Sequence, residues 1–138
     1  MQEEKERRRL GDFSDGLSTT AFGSELLAGR VDSAASVYDT DHRGRWVMPF
    51  EGGAAYSHRT TPNTSEPDVM PYCCVSSEDM PCIVQGGLGD EYYAARSRHP
   101  GGVNVLFGDG HAEFYENSVD LKVWRALATV KGGEILNR

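Results

Sequence analysis

Apolar and polar positions alternate most regularly late in the chain. Through VNVLFGDGHAEFYE, residues 103–116, the alternation is interrupted only around Gly108-Asp109-Gly110. A period of two marks strands with one buried face. Asp-Gly is among the strongest two-residue turn signals, because both positions of such a turn favour positive φ. Taking Asp109-Gly110 as the turn sets Phe107 opposite Ala112, Val105 opposite Phe114 and Val103 opposite Glu116. One face of the predicted hairpin then carries Val103, Val105, Phe107, Ala112 and Phe114. The other carries Asn104, Leu106, His111, Glu113 and Tyr115.

The period changes immediately afterwards. In NSVDLKVWRALATVKGG, Leu121, Trp124, Leu127 and Ala128 recur at helical spacing. This predicts a helix over 118–130, capped by Asn117 or Ser118, with Asp120 in its first turn and Gly132-Gly133 as its stop. Its stripe, Trp124 included, is expected to cover the apolar face of the hairpin. The predicted fold class is therefore α+β, an antiparallel sheet packed by one helix.

Upstream the patterning is weaker. TAFGSELL reads as a strand or a short helix, the strand, entering the sheet, being preferred. RWVMPF, 45–50, places Trp46, Met48 and Phe50 at period two, with Pro49 marking an edge or a strand end. Residues 2–9 alternate acidic and basic side chains, a solvated turn or frayed end, so 1–10 reads as a charged extension. Residues 31–44 read as loop. Residues 51–91 hold four prolines and no sustained period, the pattern of a long surface excursion. Asp12, Ser14 and Asp15-Gly16 are turn formers, and Ser18 to Thr20 are placed to cap the following amides.

Charge narrows the function classes. A formal net charge of −7 opposes sequence-independent binding to nucleic-acid phosphates. No run of 18 apolar residues encodes a membrane span, and the charged start MQEEKERRRL lacks the apolar core of a secretory signal. Taken alone this says cytosolic. Cys73, Cys74 and Cys82 have neither C-x-x-C spacing nor a companion histidine pair, which disfavours zinc. A disulfide from Cys82 to Cys73 or Cys74 is the better reading in an oxidising compartment, with the third thiol left over.

Catalytic chemistry has one candidate, His99 followed after nine residues by Asp109-Gly110. A carboxylate can orient an imidazole, but an extended strand over 103–107, at about 3.3 Å per residue, carries Asp109 to the far end of the hairpin. The turn already accounts for Asp109, and His99 ahead of Pro100-Gly101-Gly102 can pin the hairpin entry by hydrogen bonding to backbone. Arg96 and Arg98 read as solvated or paired with Asp90 or Glu91. SDGLS lacks the G-x-S-x-G elbow, GGLGD and PGG lack the lysine of a phosphate loop, and His42 and His58 read as isolated loop histidines. Calcium is the one cofactor to weigh, through Asp39, Asp41, Asp90 and Glu91 in loops, although EF-hand spacing is missing.

SRHPGGVNVLFGDG followed by VDLKVWRALATVKGGEIL resembles the C-terminal end of a bacterial prepilin-like family, widespread in planctomycete-type bacteria, that of domain of unknown function 1559, with the signature H-x(9)-D-G. FSDGLSTTAFGSELLAGR is similar to its D-G-x-S-N-T segment, and TPNTSEPD with PYCC and PC resembles its middle loop. The resemblance spans about residues 11–136, the globular domain. It places the signature on His99, Asp109 and Gly110, and the upstream motif on Asp15, Gly16, Ser18 and Thr20, with Thr19 where the family commonly has Asn. These positions are expected to be structural.

The resemblance implies a pilin-like, extracytoplasmic or cell-surface protein, with a leader and an apolar N-terminal helix that have no counterpart in these 138 residues. It also implies a non-enzymatic structural role in a type II secretion-like or type IV pilus-like system, with other pilin-like or secretion-system subunits as partners. The alternative is an extracellular calcium- or carbohydrate-binding module using the loops of 31–44 and 51–91. A fold resemblance does not by itself establish function.

Overall fold

The computed structural model describes residues 9–29, 41–45, 53–71, 74–85 and 90–132. The expected strand through Trp46, Met48 and Phe50 lies outside them, as do Asp39 and Cys73.

Three strands form an antiparallel sheet in the order β1 (Ala21–Ser24), β4 (Gly102–Phe107), β5 (Ala112–Glu116). Two short strands, β2 (Asp68–Met70) and β3 (Cys82–Val84), pair in parallel. A single turn-and-a-half of helix, α1 (Leu121–Ala126), follows β5. The class is mixed α+β, mostly strand and loop, and the expected antiparallel sheet is joined by a parallel pair. The stretch 51–91 is thus not a mere surface excursion. Strands of three residues are too short to show a period, so β2 and β3 left no pattern to read.

The hairpin exists, but its register differs from the expected one by one residue. Asn104 faces Phe114, Val105 faces Glu113 and Leu106 faces Ala112. The loop has three residues, not two: the amide of Gly110 donates to the carbonyl of Phe107 (3.0 Å), and that of Phe107 to the carbonyl of His111 (2.9 Å). Gly110 alone takes positive φ (+93°), while Asp109 does not. This is a tight turn followed by a left-handed residue, the usual three-residue hairpin loop. A one-residue slip turns a whole strand over. Val103, Val105 and Phe107 remain buried, as expected, but Tyr115, Glu113 and His111 share their face, and Phe114 and Ala112 turn outward.

The helix is shorter than expected and starts later. Asp120, not Asn117 or Ser118, is its cap: Oδ1 accepts from the amides of Lys122 (2.8 Å) and Val123 (3.2 Å). Trp124 and Leu127 are buried, with Leu121 packed beside them, whereas Ala128 is exposed. They join Ala95, Val103, Val105 and Phe107 in the main core. A second cluster, Met70, Cys82 and Tyr93, lies under the β2–β3 pair. The disulfide joins Cys74 to Cys82, which resolves the alternative left by the sequence.

Candidate functional site

His99 and Asp109 stand at opposite ends of β4 and do not meet. His99 Nε2 lies 2.9 Å from Glu25 Oε1, and the other Glu25 oxygen accepts the amide of Asn104 (2.7 Å). Glu25, one residue beyond β1, therefore fastens the hairpin entry to the neighbouring strand. The His99 ring thus pairs with a carboxylate and not with backbone. The His99 amide donates to Ser97 Oγ, which itself donates to the carbonyl of Gly102 (2.6 Å). A Cβ on Gly102 would collide with the carbonyl of Tyr115 and the ring of Phe114, so only glycine fits there.

Asp109 pairs instead with His111, two residues on. Its Oδ1 accepts the His111 amide (3.1 Å) and lies 2.5 Å from Nδ1. The hydrogen bond from the His111 side chain, then that from its amide, hold the Asp109 carboxyl below the ordinary carboxylate range. The His111 ring stacks on Phe107 at 4.5 Å.

The upstream motif ties the helix end to the sheet. Asp15 Oδ2 accepts from the Thr129 hydroxyl (3.0 Å) and the Gly132 amide (2.8 Å). Thr20 is buried; its hydroxyl donates to the carbonyl of Gly16 (2.9 Å), and its own carbonyl accepts from Gly108 (3.1 Å). The Thr19 hydroxyl likewise turns back onto the carbonyls of Asp15 and Gly16. The expected capping is thus reversed, with hydroxyls donating to carbonyls and not accepting from amides. Ser18 is exposed.

Sequence reasoning missed a buried ion chain. Asp41, Arg43, Asp68 and Arg96 are all at most 2% exposed. Arg43 Nη2 is 2.6 Å from Asp41 Oδ2, its Nη1 is 2.9 Å from Asp68 Oδ2, and Arg96 Nη2 is 3.0 Å from Asp68 Oδ1. Burial by itself raises the Asp41 carboxyl, but the hydrogen bonds and charge of Arg43 bring it below its ordinary value. Burial likewise works against the Arg43 charge, and Asp41 and Asp68 more than restore it. Two cations and two anions cancel, and the remaining guanidinium donors reach carbonyls of Thr64, Glu66, Val75 and Met80. Arg96 is therefore neither solvated nor paired with Asp90 or Glu91. Asp41, weighed as a calcium ligand, has its oxygens on Arg43 and the Val75 amide. Arg98 is exposed, 3.7 Å from Asp79. Charges in a linear sequence carry no periodic mark of burial; only the pairing reveals it.

His58 is not an isolated loop residue either. Its ring stacks on Trp124 at 4.1 Å, its Nδ1 lies 2.6 Å from the Trp124 carbonyl, and its Nε2 lies 2.9 Å from the Tyr56 hydroxyl. A carbonyl can only accept, so Nδ1 carries the proton and the neutral ring receives the tyrosine hydrogen at Nε2. Burial lowers the His58 pKa from its ordinary value, against the raising effect of the Trp124 carbonyl.

The slipped register leaves one surface feature. Phe22, Leu106 and Phe114 are 49%, 48% and 48% exposed. Leu106 and Phe114 lie with Ala112 on the outer face of the sheet, Phe22 stands beside them on β1, and Phe13 lies 5.1 Å from Phe22. Asn104, opposite Phe114, shares this face, Gly23 stands opposite Leu106, and Glu116 borders it opposite Gly102. Among the described residues no group of three or more histidine, cysteine or acidic side chains is placed to hold a metal ion, and no helix is long and apolar enough to cross a membrane.

A family model described as a protein of unknown function, DUF1559, matches residues 1–122. No curated protein and no solved structure matches the chain.

Proposed function

The chain belongs to the DUF1559 family, and from that premise we propose that it is a non-enzymatic, pilin-like structural protein acting outside the cytoplasm, in a type II secretion-like or type IV pilus-like assembly. The observation that carries the reading is the outer face of the sheet. Leu106, Ala112 and Phe114, with Phe22 on the neighbouring strand, expose apolar side chains around the polar Asn104 on a chain of net charge −7. Exposed apolar side chains gathered on one face of a small domain mark an interaction surface.

Its occupant is an apolar helix of a pilin-like subunit. An apolar helix side can pack on these exposed side chains, and the acidic net charge of the chain favours basic residues at the helix ends. Two further facts support the reading. The residues of the signature and of the upstream motif have architectural partners: His99 with Glu25, Asp109 with His111, and Asp15 with Thr129 and Gly132. A disulfide between Cys74 and Cys82 accords with an oxidising compartment.

The test is isolation of the full chain from a cell that makes it, with identification of co-assembled subunits. Pilin-like subunits are expected with the parent chain and lost with Leu106→Glu/Phe114→Glu, whose outward positions leave the core intact. Recovery of the parent chain without such subunits, or their persistence on the double variant, would overturn the reading.

A further inference from the structure

The disulfide is set asymmetrically in the fold. Cys82 is 6% exposed, packed with Met70 and Tyr93, whereas Cys74 is only half-buried. Arg43 Nη2 donates to Cys82 Sγ at 3.3 Å. That guanidinium is held from the other side by Asp41 and Asp68, and it also donates to the carbonyls of Val75 and Met80 inside the disulfide-closed loop. A fixed cation therefore points at one sulfur of the pair and not at the other.

We propose that the Cys74–Cys82 disulfide is a thiol–disulfide exchange site with a fixed direction, whose reaction partner is an external dithiol. The attacking thiolate reaches Cys74 Sγ from solvent, along the line that continues the sulfur–sulfur bond outward. A bond forms between the incoming sulfur and Cys74 as the bond to Cys82 breaks. The electron pair goes to Cys82 Sγ, where the Arg43 N–H already stands. Exchange is faster when the leaving sulfur carries its negative charge more easily, and a hydrogen bond from a guanidinium stabilises that charge without having to reorganise. The second thiol of the dithiol then attacks its own sulfur in the mixed disulfide and releases Cys74. The dithiol ends as a disulfide and the protein as two thiols, a two-electron exchange. Asp41 and Asp68 partly offset the charge of Arg43, so the direct hydrogen bond is the decisive contact.

Arg43 also holds the buried ion chain, so substituting it is a poor test. The better experiment uses the full chain carrying Cys73→Ser, oxidised, and a monothiol such as glutathione, with the first mixed disulfide trapped by rapid alkylation of the released thiol. The site of the adduct is read by peptide mass spectrometry, and its rate is compared in the folded protein and in the guanidinium-unfolded chain. In the folded protein the adduct is expected on Cys74, roughly tenfold over Cys82, and forming faster than at Cys74 of the unfolded chain. A disulfide that is merely buried would react more slowly when folded. An adduct on Cys82, an even split, or a folded rate below the unfolded one would overturn the proposal.

Discussion

His99 and Glu25 face each other at 2.9 Å across 74 residues of sequence, and the second Glu25 oxygen accepts the amide of Asn104 in β4. The aspartate that the sequence spacing offers His99 lies at the far end of the same hairpin, against His111. A double-mutant cycle on His99→Ala and Glu25→Gln should give a coupling of roughly 1 kcal/mol in urea unfolding. The same cycle with Asp109→Asn should be additive to within about 0.3–0.5 kcal/mol. Strong coupling between His99 and Asp109 would refute this architecture.

Breaking the ion chain should be among the costliest single changes in the molecule. Asp68→Asn removes the charge between two buried arginines, and leaving a buried ion without its partner costs about 3–5 kcal/mol. That is a large share of the stability of a domain this size. Circular dichroism should show a strongly lowered midpoint or an unfolded chain. Asp79→Asn, at the exposed pair with Arg98, should change stability by less than about 0.5 kcal/mol.

The neutral, half-buried His58 makes stability depend on pH. Its folded pKa is lowered relative to the ordinary histidine value of 6.5, so near and below that value the unfolded chain binds more protons than the folded one. Stability from this group is complete above about pH 6.5 and is lost as the pH falls below it. Urea midpoints between pH 7.5 and 5.5 should fall further for the parent chain than for His58→Gln. Equal falls would show that the ring is not held neutral by its site.

The disulfide should leave one titratable thiol per chain in denatured, unreduced protein, since Cys74 and Cys82 are joined and the chain has three cysteines. Three thiols would exclude the bond. Its reduction should lower stability by roughly 2–3 kcal/mol, the entropy of freeing a short loop in the unfolded chain. Denaturant curves with and without reductant measure this directly.

Cutting the tie between the upstream motif and the helix end should be milder. Asp15→Ala removes the acceptor for the Thr129 hydroxyl and the Gly132 amide. A loss of about 1–2 kcal/mol is expected, with earlier amide exchange at Thr129 and Gly132 than in the strands.

The sequence by itself determined the local order of this protein: a strand, a turn at Gly110, a second strand, then a helix carrying Trp124 and Leu127 into the core. Period, turn residues and capping acids act between near neighbours, so they are written in consecutive residues. Even there, one residue of register escaped, because Asp-Gly serves a two-residue loop and a three-residue loop alike. That slip decided which face Phe114 and Tyr115 take. Tertiary structure alone decided the rest. The partners of His99, Asp15, Arg43 and His58 come from distant segments or from burial, and charges, unlike apolar side chains, leave no periodic trace of where they will be desolvated. Strands as short as β2 and β3 are held by what packs around them and not by any pattern of their own.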